Sequence, residues 1–471
     1  MIIKFQGKSF LKDSFIYTIG NVLPSVGAAI FLPLYLKYLT SSEYGLVSHV
    51  QVIQAFSFIL FSLAIDRAVL RLIFDCKTDS ERREFLGTAF VLVGIATLIG
   101  SVLTSALWSF WSFYAVSSTT PNKIYFLGIV VAMLKSLLVV PRAHLQVTKR
   151  PIPFVGLAIL EFIVTNSSIY YFVVIRDFGT EGMLWAYVLG AAAVLPFGGI
   201  IILENSVFTL KKSYVSQISR FSLPIVPTLI TALVLNMSDR IFIEQYIDMS
   251  NLGVYSVAFK IVSVAVLFIS GFNLAITPRF YEKLSETSFQ HGILWNKKFN
   301  ISFLYIMSYG TILFLLILPD VVENLFSEEY NQVTPVASIL LLSFYFSSVN
   351  SVNGKRLAFE KRTKQTMWID LSSAIINVLL NFLLIPVYGL HGAAIATALS
   401  TLWALMINFW YLRFVLGVDV FPTKLFFIAT VLILGIIATS SIINFEDLVL
   451  RLIALLIVII LLLKSLIKFA L

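Results

Sequence analysis

Long runs of apolar residues recur along nearly the whole 471-residue chain, and they constrain its fold more than any other feature. A helix needs about 20 mostly apolar residues to cross a membrane. Hydrophobic residues make up 59% of the chain and charged residues only 13%, too few to cover the surfaces of soluble domains. The sequence therefore predicts an all-α integral membrane protein with about fourteen transmembrane helices. The predicted spans lie near 14–37, 44–65, 86–109, 124–141, 152–175, 182–203, 221–246, 252–277, 299–319, 332–352, 366–386, 392–415, 422–442 and 446–468.

The distribution of basic residues supports this count. With a cytoplasmic N-terminus, the cytoplasmic segments hold 27 of the 34 Lys and Arg residues, as the positive-inside rule requires. Arg142 after the fourth span, and Lys355 and Arg356 after the tenth, are assigned to this side. The apolar stretch behind Lys12 runs on without a small-residue cleavage site, so a retained first span is predicted rather than a signal peptide. Both termini are expected to be cytoplasmic.

Composition and motifs argue against several other classes of protein. Cys76 is the only cysteine, which excludes a disulfide framework and a multi-cysteine zinc site. The four histidines are scattered, so no metal centre is predicted. Basic loops explain the net charge of +9 without a nucleic-acid partner. Gly7-Lys8-Ser9 resembles the end of a nucleotide-binding loop but lacks its upstream glycine, and we predict neither enzyme activity nor a cofactor.

Short motifs recur in the two halves of the chain at a nearly constant offset of 208–212 residues. The matching pairs include Gly45 and Gly253, Ser48 and Ser256, Lys149 and Lys361, Arg150 and Arg362, Gly179 and Gly389, and Gly182 and Gly392. This pattern predicts an internal duplication of six spans. We expect two six-helix lobes around a central cavity, the N-lobe at 1–205 and the C-lobe at 206–415, with two extra C-terminal helices at 416–471. Alternating access by rocking of the lobes follows from such a duplication.

Three groups of residues carry a family resemblance. They are Pro33–Tyr35, Leu39 and Glu43-Tyr44-Gly45; Asp239-Arg240-Ile241 with Leu252–Ser256; and Gly389, Gly392, Ala393 and Ala396. Over about 1–415 the chain resembles the polysaccharide flippases of the multidrug/oligosaccharidyl-lipid/polysaccharide exporter superfamily, the O-antigen (Wzx-type) group in particular.

The resemblance implies a flippase that moves an undecaprenyl-diphosphate-linked oligosaccharide, an O-antigen-like repeat unit of lipopolysaccharide biosynthesis, across the bacterial inner membrane. The partners it implies are this lipid-linked oligosaccharide, membrane lipids, a polysaccharide polymerase and a chain-length regulator.

Three alternatives remain open at this point. A drug or cation antiporter of the same superfamily typically has twelve helices, and acidic residues would then dominate the lobe interiors. A lipid II-type flippase usually carries a basic residue in its first helix, whereas none lies between Lys12 and Lys37 here. A membrane-embedded glycosyltransferase or polymerase would need a sizeable extracytoplasmic loop, and the longest one predicted here has about a dozen residues.

Charged residues inside predicted spans are the candidate site residues, since a charge near the bilayer centre costs roughly 2.5–3.5 kcal/mol on insertion scales. Lys260, Arg240 and Lys135 are predicted to line the cavity and bind an anionic substrate. Snorkelling to the interface is the alternative for Arg240 and Lys135. Glu161 and Asp239 are predicted either to pair with such cations or to couple transport to an ion.

Four intramembrane asparagines are expected to form hydrogen bonds between helices rather than to contact a sugar. They are Asn166, Asn236, Asn377 and Asn381.

Overall fold

The computed structural model describes residues 26–106 except 29, residues 122–286 and 289–442, and residues 457, 460 and 461. Every regular element in these ranges is helical, which confirms the predicted all-α membrane fold. The elements up to the middle of the chain are α1 (Val26–Tyr35), α2 (Ser41–Ser62), α3 (Asp79–Ala106), α4 (Asn122–Val147), α5 (Pro151–Ile175), α6 (Gly179–Asn205) and α7 (Lys212–Tyr246). They are followed by α8 (Met249–Glu286), α9 (Phe289–Leu325), α10 (Val333–Phe359), the kinked helix Lys364–Val415, and α13 (Thr423–Ile442).

The kinked helix contains two of the predicted spans. Gly389 interrupts it with φ 57° and ψ −134°, a conformation open to glycine, and divides it into α11 (364–388) and α12 (390–415). With this division, the described helices occupy thirteen of the fourteen predicted positions. Only residues 457, 460 and 461 of the fourteenth predicted span are described, and the N-terminal lysines Lys4, Lys8 and Lys12 lie outside the described residues.

The duplicated motifs adopt the same backbone geometry in both halves. Lys149, which follows α4, has φ +53°, and Lys361, which follows α10, has φ +57°. In each case the next residue donates its amide hydrogen to the carbonyl five positions earlier, at 2.9 Å for Arg150 and 2.9 Å for Arg362. A left-handed residue that closes a helix in this way is a recurrent C-terminal cap. The pair Gly179 and Gly389 likewise shares a positive φ, at +53° and +57°. These matches support the predicted duplication.

The chain forms two compact units, Met1–Gly253 and Val254–Leu471. In the first unit, α7 packs against α2, and the beginning of α8 lies in the same unit. In the second, α10 packs against α9 and against the kinked helix that follows it. The predicted lobe boundaries at 205/206 and 415/416 stay a prediction.

Candidate substrate site

A kink in α4 lies between Lys135 and Arg142, which form a charged cluster with Glu161 in the first unit. Regular helix runs over Asn122–Leu137 and resumes over Val139–Val147. Two features mark the kink. Pro141 has no amide hydrogen to donate to the preceding turn. The Leu138 amide donates to the Lys135 carbonyl, three residues back rather than four, at 3.1 Å. Lys135 and Arg142 flank this kink seven residues apart, about two helical turns. Both side chains therefore lie on one side of α4.

Two glycines of α6 allow α4 and α5 to approach it closely. A Cβ at Gly190 would lie 1.9 Å from Thr165 Oγ1 and 3.2 Å from the carbonyl oxygen of Glu161, both on α5. A Cβ at Gly198 would lie 2.7 Å from the Leu138 side chain, at the kink of α4. Because Gly190 and Gly198 have no side chains, both α5 and the kink of α4 can pack closely against α6. This packing places Glu161 of α5 beside Lys135 and Arg142 of α4.

Glu161 binds both cations, one with each carboxylate oxygen. The Lys135 ammonium lies 3.1 Å from Oε1, and an Arg142 guanidinium nitrogen lies 2.6 Å from Oε2. The cluster carries one net positive charge, because two bases share one acid. The side chains of Lys135 and Arg142 are 37% and 33% exposed, and that of Glu161 is 17% exposed. Exposed charge in contact with hydrocarbon would be costly, so this face of α4 is best suited to a hydrated surface.

Asp239 and Arg240 are both buried on α7, at 2% and 8% exposure. The Asp239 carboxylate accepts the backbone amide hydrogen of Arg240 at 2.9 Å. Arg240 also lies close enough to Tyr44 on α2 for the charge to act on the phenol. The structure thus places this predicted cation at the contact between α2 and α7, inside the first unit.

Polar side chains also join α1 to α5 and α2 to α6. The Tyr35 hydroxyl donates to Asn166 Oδ1 at 2.8 Å, so Asn166 forms the predicted hydrogen bond between helices. Gln51 donates to the Tyr187 hydroxyl at 3.4 Å. Asn236 differs from its prediction, because its amide donates at 2.6 Å to the Ala232 carbonyl of its own helix.

In the second unit, Asn377 donates to Ser400 Oγ at 3.3 Å, a bond between α11 and α12, and Asn381 donates to Asn377 at 3.1 Å. The hydrogen bond predicted between helices is therefore present for Asn377. Lys260 belongs to this unit as well, half-buried on α8, where its carbonyl accepts the Ser263 hydroxyl at 2.6 Å.

Sequence reasoning missed Arg142 as a site residue, because it lies just beyond the predicted end of the fourth span. The helix continues to Val147, six residues past that end, and carries Arg142 to Glu161. The seven-residue spacing from Lys135 was the available signal. Lys355 and Arg356 likewise lie beyond the predicted end of the tenth span, and the helix continues past them, while their assignment to the cytoplasmic side stays a prediction. Both lie within α10, at 9% and 2% exposure, and Arg356 pairs with Glu360 at 2.6 Å.

The chain matches known proteins in both sequence and structure. Residues 10–284, more than half of the chain, match the family described as polysaccharide biosynthesis protein. An uncharacterized membrane protein of Methanocaldococcus jannaschii is 22% identical over 85% of this chain and 97% of its own length. The Lsg locus putative protein 1 of Haemophilus influenzae is 24% identical over 58% of this chain and 67% of its own length. A probable low-salt glycan biosynthesis flippase of Haloferax volcanii is 25% identical over 34% of each chain.

The fold is shared with solved transporters. The inward closed conformation of the lipid II flippase MurJ superposes with a TM-score of 0.72 at 16% identity, covering 96% of this chain and 98% of that one. The multidrug transporter DinF-BH gives a TM-score of 0.61 at 15% identity, covering 90% and 98%. These TM-scores establish a common fold. From the sequence match and this fold together, the chain belongs to the polysaccharide biosynthesis protein family of multi-pass membrane proteins.

Proposed function

We propose that this protein flips an undecaprenyl-diphosphate-linked oligosaccharide, an O-antigen-like repeat unit, across the bacterial inner membrane by alternating access. Family membership, the flippase-like fold and the relative described as a probable glycan biosynthesis flippase support this proposal. The observation that carries it is the cluster of Lys135, Arg142 and Glu161, which keeps a net positive charge on a partly exposed face within the membrane-spanning part.

The chemistry of the cluster suits a lipid diphosphate. A flippase must shelter a polar, anionic head group while the lipid tail stays in the bilayer. A diphosphate can accept hydrogen bonds from the Arg142 guanidinium in a fork and from the Lys135 ammonium as a point charge. Glu161 holds both cations in place before the substrate binds and limits the cost of keeping them inside the span. The diphosphate would then compete with Glu161 for the two cations, which keeps binding reversible.

The other predicted site residues enter the same proposal. Arg240 and Lys260 supply further positive charge toward the substrate. Asp239 is proposed to balance the charge of Arg240 beside it, whereas coupling of transport to an ion is the alternative role for Asp239 and Glu161. In the cell, both termini face the cytoplasm, and a polymerase and a chain-length regulator receive the flipped unit.

Deletion and complementation of the gene test the proposal. Deletion should leave lipid-linked repeat units facing the cytoplasm and abolish the surface polymer. Wild-type protein should restore the polymer, and the Lys135→Ala, Arg142→Ala double variant should not. Lys123→Ala is the matched control, because Lys123 lies on the same helix and pairs with the exposed Glu181 at 2.7 Å, away from the cluster.

Normal polymer in a deletion strain without a second flippase would contradict the proposal. Normal polymer together with increased drug sensitivity in that strain would favour the antiporter alternative.

A further inference from the structure

A cavity with charged residues in its wall lies in the first unit, separate from the Lys135 cluster. It has a volume of about 750 Å³ and lies where α3 begins and where α4 and α6 end. Because three spans start or stop there, the cavity lies at the boundary between membrane and water. The charge pattern of the sequence assigns this boundary to the cytoplasmic side.

The cavity is built by the chain segment that follows α6. Val207 donates its amide hydrogen to the Arg83 carbonyl at 3.0 Å, and Thr88 donates its hydroxyl to the Thr209 carbonyl at 2.9 Å. Gly87 makes this approach possible, because a Cβ there would lie 2.0 Å from the carbonyl oxygen of Val207. The segment is therefore fixed along the first turns of α3, and the space between it and the end of α4 stays open.

His144 is a buried polar group of the cavity wall that the packing does not satisfy. The residue is 6% exposed, and neither ring nitrogen has a hydrogen-bond partner of good geometry within the described ranges. Asn205 lies beside the ring, close enough to act on it, but the contact lacks the geometry of a hydrogen bond. The Asn205 amide donates one of its hydrogens to the Ile201 carbonyl at 2.8 Å. A buried polar group without a partner costs about 1–3 kcal/mol, so a ligand that bonds to the imidazole would recover stability.

The rest of the polar wall favours an anion. Arg82 and Arg83 both line the cavity, and within the described residues the Arg83 side chain forms no ion pair. Arg82 pairs with Asp79 at 3.4 Å, in an exposed contact, so the wall keeps a net positive charge. Ser80 lines the cavity in the first turn of α3, where the helix dipole also favours negative charge.

Apolar side chains border the same opening. Phe74 is 65% exposed and Val207 is 46% exposed, and both line the cavity. Exposed apolar groups beside basic groups at this depth match the chemistry of a phospholipid, in which a phosphate is joined to acyl chains.

We propose that this cavity binds a phosphate group, with Arg83 and His144 as its principal ligands and with a phospholipid headgroup or a free phosphate compound as the source. Arg83 supplies the charge and a forked donor, and His144 supplies a hydrogen bond from the buried wall. The inference does not depend on the proposed transport function.

Native mass spectrometry of the full-length protein tests the proposal with three probes. They are dihexanoylphosphatidic acid, dihexanoylglycerol and inorganic phosphate. Phosphatidic acid should bind, and dihexanoylglycerol, which lacks the phosphate, should not. Arg83→Gln should weaken binding by about tenfold, the size of a charge-assisted hydrogen bond. His144→Leu should also weaken binding while leaving thermal stability equal or higher, because the substitution removes an unsatisfied buried polar group.

Arg71→Gln is the control, since Arg71 is exposed, pairs with Asp75 at 3.0 Å and lies outside the cavity wall. Binding of inorganic phosphate with the same dependence on Arg83 would identify a general phosphate site, and binding of phosphatidic acid alone would identify a lipid headgroup site. Equal binding by wild type, Arg83→Gln and His144→Leu, or an equal loss in Arg71→Gln, would overturn the proposal, as would the absence of binding by any phosphate probe.

Discussion

Gly45 and Gly253, which the duplication makes equivalent, contact each other where α2 crosses the beginning of α8. A Cβ at Gly45 would lie 1.9 Å from the Met249 carbonyl oxygen, and a Cβ at Gly253 would lie 1.9 Å from the Ser41 carbonyl oxygen. Each glycine thus meets the carbonyl of the residue four positions before the other. The hydroxyl groups of Ser41 and Ser250 form a hydrogen bond across the same crossing. The contact is therefore reciprocal.

We predict that Gly45→Ala and Gly253→Ala each destabilise the protein, because either methyl group would overlap backbone atoms of the other helix. Overpacking of this kind costs about 1–3 kcal/mol. The midpoint of thermal unfolding in detergent should fall for both variants. Gly94→Ala on α3 is the control, since no heavy atom lies within 4 Å of a Cβ there. Equal midpoints for all three variants would show that the helices separate without cost.

A double-mutant cycle measures the Lys135–Glu161 ion pair. Glu161→Gln should destabilise the protein, because two cations inside a span lose their shared counter-charge. In the Lys135→Met background, Glu161→Gln should lower the free energy of unfolding by less, since Arg142 is then the one cation that loses its counter-charge. We expect a coupling energy of about 1 kcal/mol, at the low end for contacting residues because Lys135 is partly exposed. Additive effects of the two changes on unfolding free energy would mean that the ion pair contributes no stability.

Burial of Cys76 should slow the reaction of its thiol with the reagents that test membrane orientation. The residue is 8% exposed, and burial, followed by the nearby Glu81 carboxylate, raises the pKa of its thiol above the usual value. A raised pKa lowers the reactive thiolate fraction at neutral pH, so alkylation should be slow and should keep accelerating at a pH where an ordinary cysteine has levelled off. Absence of labelling from outside would therefore not by itself place Cys76 in the cytoplasm.

A sharper version moves the thiol to an exposed position. In a Cys76→Ser background, Lys77→Cys should resist a membrane-impermeant maleimide in sealed cells and react after permeabilisation. Glu328→Cys, exposed between α9 and α10, should react in sealed cells. The reverse pattern would invert the predicted orientation.

The number of spans could be predicted because hydropathy alone determines which segments cross a bilayer. The ends of the helices could not be predicted in this way, since helices such as α4 and α10 continue beyond the apolar segment of the sequence. Arg142 and Arg356 consequently fall after the predicted spans, although both lie within helices. The duplication identified Gly45 and Gly253 as equivalent, but equivalence in sequence does not predict contact. The sequence identifies Lys135 and Glu161 as charges inside predicted spans. Their pairing depends on the kink at Pro141 and on close packing at Gly190, and neither feature can be recognised from the pattern of charged residues.

Lys260 remains a predicted cavity cation. If it binds an anionic head group, Lys260→Ala should abolish transport while membrane abundance stays near normal, and Lys260→Arg should retain part of the activity. A fall in abundance along with activity would instead indicate that Lys260 neutralises a carboxylate. Abundance and surface polymer should be measured in the same cells, and normal polymer with Lys260→Ala would remove this residue from the site.

Reconstitution of the purified protein tests the central claim most directly. Vesicles would contain undecaprenyl-diphosphate-linked oligosaccharide in both leaflets, and a membrane-impermeant glycosidase would be added outside. Without protein, about half of the glycan should stay protected. With wild-type protein, nearly all of it should become cleavable over time, and the Lys135→Ala, Arg142→Ala double variant should leave the protected half intact, whereas Lys123→Ala should behave as wild type. A protected fraction that does not change with wild-type protein, in vesicles that remain sealed, would contradict the account.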